Sequence, residues 1–171
     1  MFGRIIVATD LTDATRASLR VACEVRHSDG EILLVHVIRP INGVRDGELD
    51  GFYDRLRADA AARMRDLSSW FVRERHLDIP CLVVMGDPAR EIDRIARERD
   101  ADLIVVSHGA PPAPLGSVCY KLTHVAPCAV LMLQGPVSTG EATRASSARR
   151  EGASRRKVSP ASRGGRHVAP S

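Results

Sequence analysis

Two short segments carry residue types suited to ligand chemistry. Asp10 follows the apolar run Ile5-Ile6-Val7-Ala8 and Thr9. A short carboxylate just past a strand can accept from a ribose hydroxyl or hold a metal-bound water; the same spacing also suits a cap for the following helix. Gly116-Ser117 opens a helical segment, so free backbone N–H groups and a hydroxyl make either an anion site or an ordinary helix cap. His36, His108 and His124 are too scattered for a ligand set, and His36 lies inside an apolar run; no metal is expected. Cys119, near that same helix start, would suit redox sensing if its pKa were lowered. A small buried apolar residue is the role we favour for it. Gly-x-Ser-x-Gly, Gly-x-x-x-x-Gly-Lys-[Ser/Thr] and Gly-x-Gly-x-x-Gly are all absent, which removes the nucleophile elbow, the P-loop and the Rossmann fingerprint.

The elements that must position these residues alternate regularly. Strands are expected at Ile5–Ala8, Ile32–Ile38, Cys81–Met85, Leu103–Val106 and Cys128–Leu133. Between the first two, Thr12 or Asp13 caps a helix with Leu19, Ala22 and Val25 on one side, and Asp29-Gly30 stops it. A loop dense in Asn-Gly and Asp-Gly turns, from Pro40 to Gly51, leads into a long helix. That helix carries Phe52, Leu56, Ala60, Met64, Leu67 and Phe71 as one stripe and arginines opposite. A membrane-surface role would fit the pattern, but a packed crossover helix explains it without further assumptions. Gly86-Asp87-Pro88 opens a helix that buries Ala89, Ile92, Ile95 and Ala96, with proline at a tolerated first-turn position. Ser107–Leu115 is a proline-rich connection, and Gly116-Ser117 caps a short helix through Val125. Strands that are apolar without alternation are covered on both faces, so the chain reads as a doubly wound α/β fold with a five-stranded parallel sheet and helices on both faces. Ligands of such folds sit beyond the carboxyl ends of the strands. Thr9-Asp10, Val37 and Ser107-His108-Gly109 should therefore meet at one crevice.

Composition sets the class. The 171 residues are 44% hydrophobic and 27% charged with only 4% aromatic, which is a globular chain whose core is built from aliphatic side chains. Of 25 Lys and Arg and 21 Asp and Glu, eight and two fall in 137–171, leaving 17 and 19 in the body. A mildly acidic domain, 1–136, is thus followed by a basic tail of Ser, Ala, Arg, Gly and Pro, 137–171. The tail has too little apolar surface to offset its ordering entropy and is expected to be disordered. It is either a solvated tail or an arm for nucleic acid or another anion; the body itself is no nucleic-acid-binding domain. No run approaches the roughly 20 apolar residues of a membrane span, and Asp10 falls too early for a secretory leader. The expected location is cytoplasmic, with Cys23, Cys81, Cys119 and Cys128 reduced and mostly buried.

The order and spacing of five segments resemble the universal stress protein family: "RIIVATDLTDAT", "ILLVHVIRP", "MGDPAREI", "ADLIVVSHG" and "LGSVCYKLTHVAPCAVLML". The likeness extends over nearly all of Met1 to Gln134. It implies the strand order 3-2-1-4-5 and a homodimer formed through the last strand, Cys128–Leu133, an edge without charge or internal proline. In the nucleotide-binding members it implies an adenine nucleotide site, with ATP or AMP as the ligand. Carried over by position, Thr9, Asp10 and Val37 would hold adenosine, while Gly109, Gly116, Ser117 and Val118 would hold phosphates and ribose.

The family's phosphate motif is G-x-x-G, nine residues, then G-[ST], and this chain departs from it. Val106 stands at the first glycine, and six residues separate Gly109 from Gly116. Among those six are Pro111, Pro112 and Pro114, which have no N–H to offer a phosphate. The adenosine half of the site is intact and the phosphate half is degenerate. The expected function is a cytosolic stress-response regulatory protein that binds rather than catalyses. The alternatives are an ATP-binding protein with slow hydrolysis, in which Asp10 positions a metal or water, and a protein-interaction module with a vestigial site.

Overall fold

A computed structural model of the chain describes residues 1–41, 49–108 and 116–134, excluding the side chain of His108. The expected turns at Asn42–Gly47, the Gly109 position and the tail 137–171 lie outside the described residues. In chain order the elements are β1 (Phe2–Thr9), α1 (Ala14–Val25), β2 (Arg26–Ile38), α2 (Asp50–Arg75), β3 (Cys81–Met85), α3 (Pro88–Glu98), β4 (Leu103–His108), α4 (Ser117–Val125) and β5 (Ala129–Gln134). The five strands form one sheet ordered β3-β2-β1-β4-β5, and every neighbouring pair is parallel.

Alternation along each strand splits the core between the two faces. Ile5, Val7, Leu34 and Val105 pack with Leu19 and Ala22 of α1 and Met64 and Phe71 of α2. Ile6, Val35, Ile104 and Val106 pack with Ala89, Ile92, Ile95 and Ala96 of α3 and Cys119 and Leu122 of α4. Both faces of the inner strands are therefore dry, which is why their sequences run apolar without a break.

Three local expectations need correction. The helix does not run to Asp29-Gly30: α1 ends at Val25, and Arg26 is already extended at φ −70°, ψ 141°. Tertiary pairing overrides the turn signal, because Phe2 of β1 pairs with Arg26 while Arg4 pairs with Glu31. Five steps along β2 are thus matched by two along β1, and the Arg26 guanidinium closes the excess by donating to the carbonyls of Ser28 (2.8 Å) and Gly30 (2.7 Å). Gly30 is needed there for close approach, since a Cβ would stand 2.8 Å from the carbonyl oxygen of Phe2. Asp50-Gly51 is the first turn of α2 rather than loop. Phe52 is 39% exposed, so the buried stripe of α2 begins at Ala60.

Candidate functional site

In the order β3-β2-β1-β4-β5 the chain leaves β1 toward one sheet edge and later returns to its other side at β4. The carboxyl ends of β1, β2 and β4 part there, as at any switch point of a doubly wound sheet. The opening is a cleft of about 420 Å³, inside the roughly 300–1,000 Å³ range of small-molecule sites. Thr9, Asp10, Val37, Gly116, Ser117 and Val118 all line it. Six of the seven residues singled out from the sequence therefore come together; the seventh, Gly109, is outside the described residues. Ala8, Val106, Ile92 and Cys119 add apolar wall, and Arg39 adds a cation.

The turn after β1 is built from its own side chains. Thr12 donates to Asp10 Oδ1 twice, from its N–H at 3.1 Å and its hydroxyl at 2.7 Å. Leu11 sits at φ 62° and donates its N–H to the hydroxyl of Thr9 at 2.8 Å. That hydroxyl is also bonded to the Thr15 hydroxyl, in the first turn of α1. Asp13 occupies the N-cap position of α1 but makes no side-chain cap bond. The capping expected of Thr12 or Asp13 gives way to these turn contacts, which leave Asp10 exposed at the cleft. His36, paired with Thr9 across the β1–β2 ladder, lies 2.8 Å by Nδ1 from the Thr9 carbonyl. A carbonyl can only accept, so Nδ1 carries the proton there.

Opposite stand the starts of α3 and α4. Gly116 is the N-cap of α4 with ψ 150° and supplies no side-chain bond, so the first N–H groups of the helix fall outside its internal ladder. Asp87 caps α3 by accepting from the N–H groups of Ala89 (3.1 Å) and Arg90 (3.2 Å). Its second oxygen accepts from Lys121 of α4 at 3.0 Å, which ties together the two helices that border the cleft. The Lys121 hydrogen bond, then the Arg90 N–H, holds the Asp87 carboxyl below its ordinary value. Any stability from this contact is present above pH 3.8 and lost as pH falls through the lower folded value.

Burial pushes the Cys119 thiol up, so it stays protonated at neutral pH and the reactive-thiolate alternative loses its basis. Burial likewise raises Cys23, Cys81 and Cys128. All four cysteines are free, but only Cys119 is buried and the others are half-buried, because they stand at sheet or helix margins. Among the described residues no three His, Cys, Asp or Glu side chains converge, and no helix is long and apolar enough to cross a membrane.

Arg39, Pro88, Ile92 and Cys119 were not marked as site residues by the sequence. Ile92 was legible only as core, and Cys119 as core or as a redox-sensing thiol, not as cleft wall. Pro88 reads as a helix start, and the one hint for Arg39 is that it stands two residues beyond Val37.

A parallel five-stranded α/β sheet with a ligand-sized cleft at its switch point defines the class. The chain belongs to the universal stress protein family, whose model matches residues 1–134. Universal stress protein YxiE of Bacillus subtilis is 26% identical over 149 residues, covering 78% of this chain and all of that protein. The structure of universal stress protein UspA from Lactobacillus plantarum superposes with a TM-score of 0.64 at 22% identity, covering 77% of this chain and 97% of that one. A universal stress protein family structure from Arabidopsis thaliana with AMP bound gives 0.52 at 20% identity, covering 79% and 93%.

Proposed function

We propose that this protein binds an adenine nucleotide in the switch-point cleft and acts through binding, as a stress-response regulator, rather than through catalysis. Thr9, Asp10 and Val37 hold adenosine; Gly116, Ser117 and Val118 hold phosphates and ribose. The observation that carries this reading is that six positions drawn from three distant parts of the chain line one cleft of about 420 Å³. AMP bound to the Arabidopsis thaliana relative supports the ligand class. The cleft's acceptor, Asp10, suits a ribose hydroxyl, and its apolar walls suit a base.

Calorimetry with adenosine, AMP and ATP tests it. Asp10→Ala removes a carboxylate acceptor, and hydrogen bonds to charged groups are worth about 1.5–3 kcal/mol. All three ligands should therefore weaken by roughly ten- to a hundredfold. No binding by the wild type at millimolar ligand, or equal affinity in Asp10→Ala, sinks the reading.

The same reading includes a homodimer through the outer edge of β5. That edge bears no charge, and Met132 is 37% exposed on it, so nothing resists pairing with a second copy. Met132→Lys places a charge on the edge and should give a monomer by light scattering at tens of micromolar. A wild type that is already monomeric at that concentration removes the proposal.

A further inference from the structure

The turn that presents Asp10 is held from behind as well as from within. Arg63 of α2 donates from Nη2 to the carbonyl of Leu11 at 2.7 Å, across 52 residues of sequence. That carbonyl and the N–H of Thr12 belong to one peptide unit, which is planar and trans, so its two ends point in opposite directions. The Thr12 N–H end donates to Asp10 Oδ1 at 3.1 Å. A single rigid plate thus has the Arg63 guanidinium on one end and the Asp10 carboxylate on the other. Fixing the carbonyl fixes the direction of the N–H.

The plate needs such a hold. Leu11 adopts φ 62°, a left-handed conformation that a residue with a branched side chain leaves readily unless its surroundings impose it. Its N–H is taken by Thr9, and its side chain packs against the α1–α2 core face. Neither contact holds the carbonyl end of the peptide that follows; the Arg63 bond does, while the Thr12 hydroxyl holds Asp10 Oδ1 directly at 2.7 Å.

We propose that Arg63 is a positioning residue for the cleft, aiming the Asp10 carboxylate through the Leu11–Thr12 peptide although it does not itself line the cleft. This rests on the nucleotide reading above. Arg63 borders a solvent-open hollow of about 330 Å³ shared with Asp13, Arg16 and Asp66, so water competes for the Leu11 carbonyl. The effect of losing the bond is accordingly smaller than that of losing Asp10.

The test is a double-mutant cycle read by AMP calorimetry. Arg63→Met keeps the aliphatic stem and removes the donor; it should weaken AMP by about three- to tenfold. Arg63→Lys, which keeps one cationic donor, should recover part of that loss. In the Asp10→Ala background Arg63→Met should change affinity by less than about twofold, because its route to the ligand is gone. Full additivity of the two substitutions, or wild-type affinity in Arg63→Met, overturns the inference. A second readout needs no ligand: the Thr12 amide should shift and exchange faster in Arg63→Met. If the wild type fails to bind AMP, the nucleotide reading falls, and the Thr12 amide alone decides whether Arg63 holds the turn. An unchanged Thr12 amide then ends the proposal.

Discussion

Repairing the phosphate loop is expected to raise affinity for ATP by about two orders of magnitude and to leave adenosine nearly unchanged. Each phosphate oxygen needs charge-assisted donors, and one such donor is worth roughly 1.5–3 kcal/mol. Pro111, Pro112 and Pro114 contribute no N–H, the Gly109–Gly116 spacer has six residues, and the resemblance to the family implies a glycine where Val106 stands. A net recovery of about 3 kcal/mol corresponds to the hundredfold gain. The repaired variant carries Val106→Gly and a nine-residue proline-free spacer. Its cost is visible in the fold: Val106 is 3% exposed and belongs to the core beneath α3 and α4. Emptying that position should lower stability by roughly 2–3 kcal/mol. Affinity and unfolding must therefore be measured on the same preparations, and the spacer should also be tested without Val106→Gly. If the unrepaired protein already prefers ATP over AMP a hundredfold, the loop is not degenerate in function.

A second large effect separates two phenylalanines of one helix. Phe71→Ala is expected to cost about 3–5 kcal/mol, on the order of ten degrees in the thermal midpoint. Phe52→Ala should cost less than about 1 kcal/mol. Phe71 has no exposed surface. It packs with Leu19, Met64 and the inner strands, and stands edge-on to Trp70 with centroids 4.7 Å apart at 79°. Phe52, in the first turn of α2, is 39% exposed and meets Tyr53 edge-on at 5.6 Å. Urea denaturation of both variants checks the pair. Equal losses would mean that the sequence stripe, which ranks the two alike, describes the helix better than the observed burial does.

That contrast marks how far periodicity reaches. A stripe at helical spacing says which side of α2 is apolar, but not where along its length burial begins. The same limit applies to Asp29-Gly30, a reasonable helix stop by residue type that instead lies within β2. The strand begins early because Phe2 offers Arg26 a partner, and no local preference encodes a partner 24 residues away. Likewise Asp13 has the right chemistry to cap α1, but the hydroxyls of Thr9 and Thr12 organise the turn in its place.

Much of the cleft's lining was nevertheless legible in order and spacing. Uninterrupted apolar strands imply cover on both faces, hence a parallel sheet with its ligand end at the strand carboxyl termini. Thr9, Asp10, Val37, Gly116, Ser117 and Val118 follow from that rule and from the family pattern, and all line the cleft. By itself the sequence determined the layers, the parallel sheet, the end of it that opens and which backbone turns face the opening, because burial and residue chemistry are local and repeat with the period of each element. Only the tertiary structure decided that Arg39, Pro88 and Cys119 complete the wall, that Lys121 reaches Asp87 and that Arg63 reaches the carbonyl of Leu11. Those contacts join residues on different crossovers, and their distances are set by how helices of different length settle on a twisted sheet, which no spacing along the chain records.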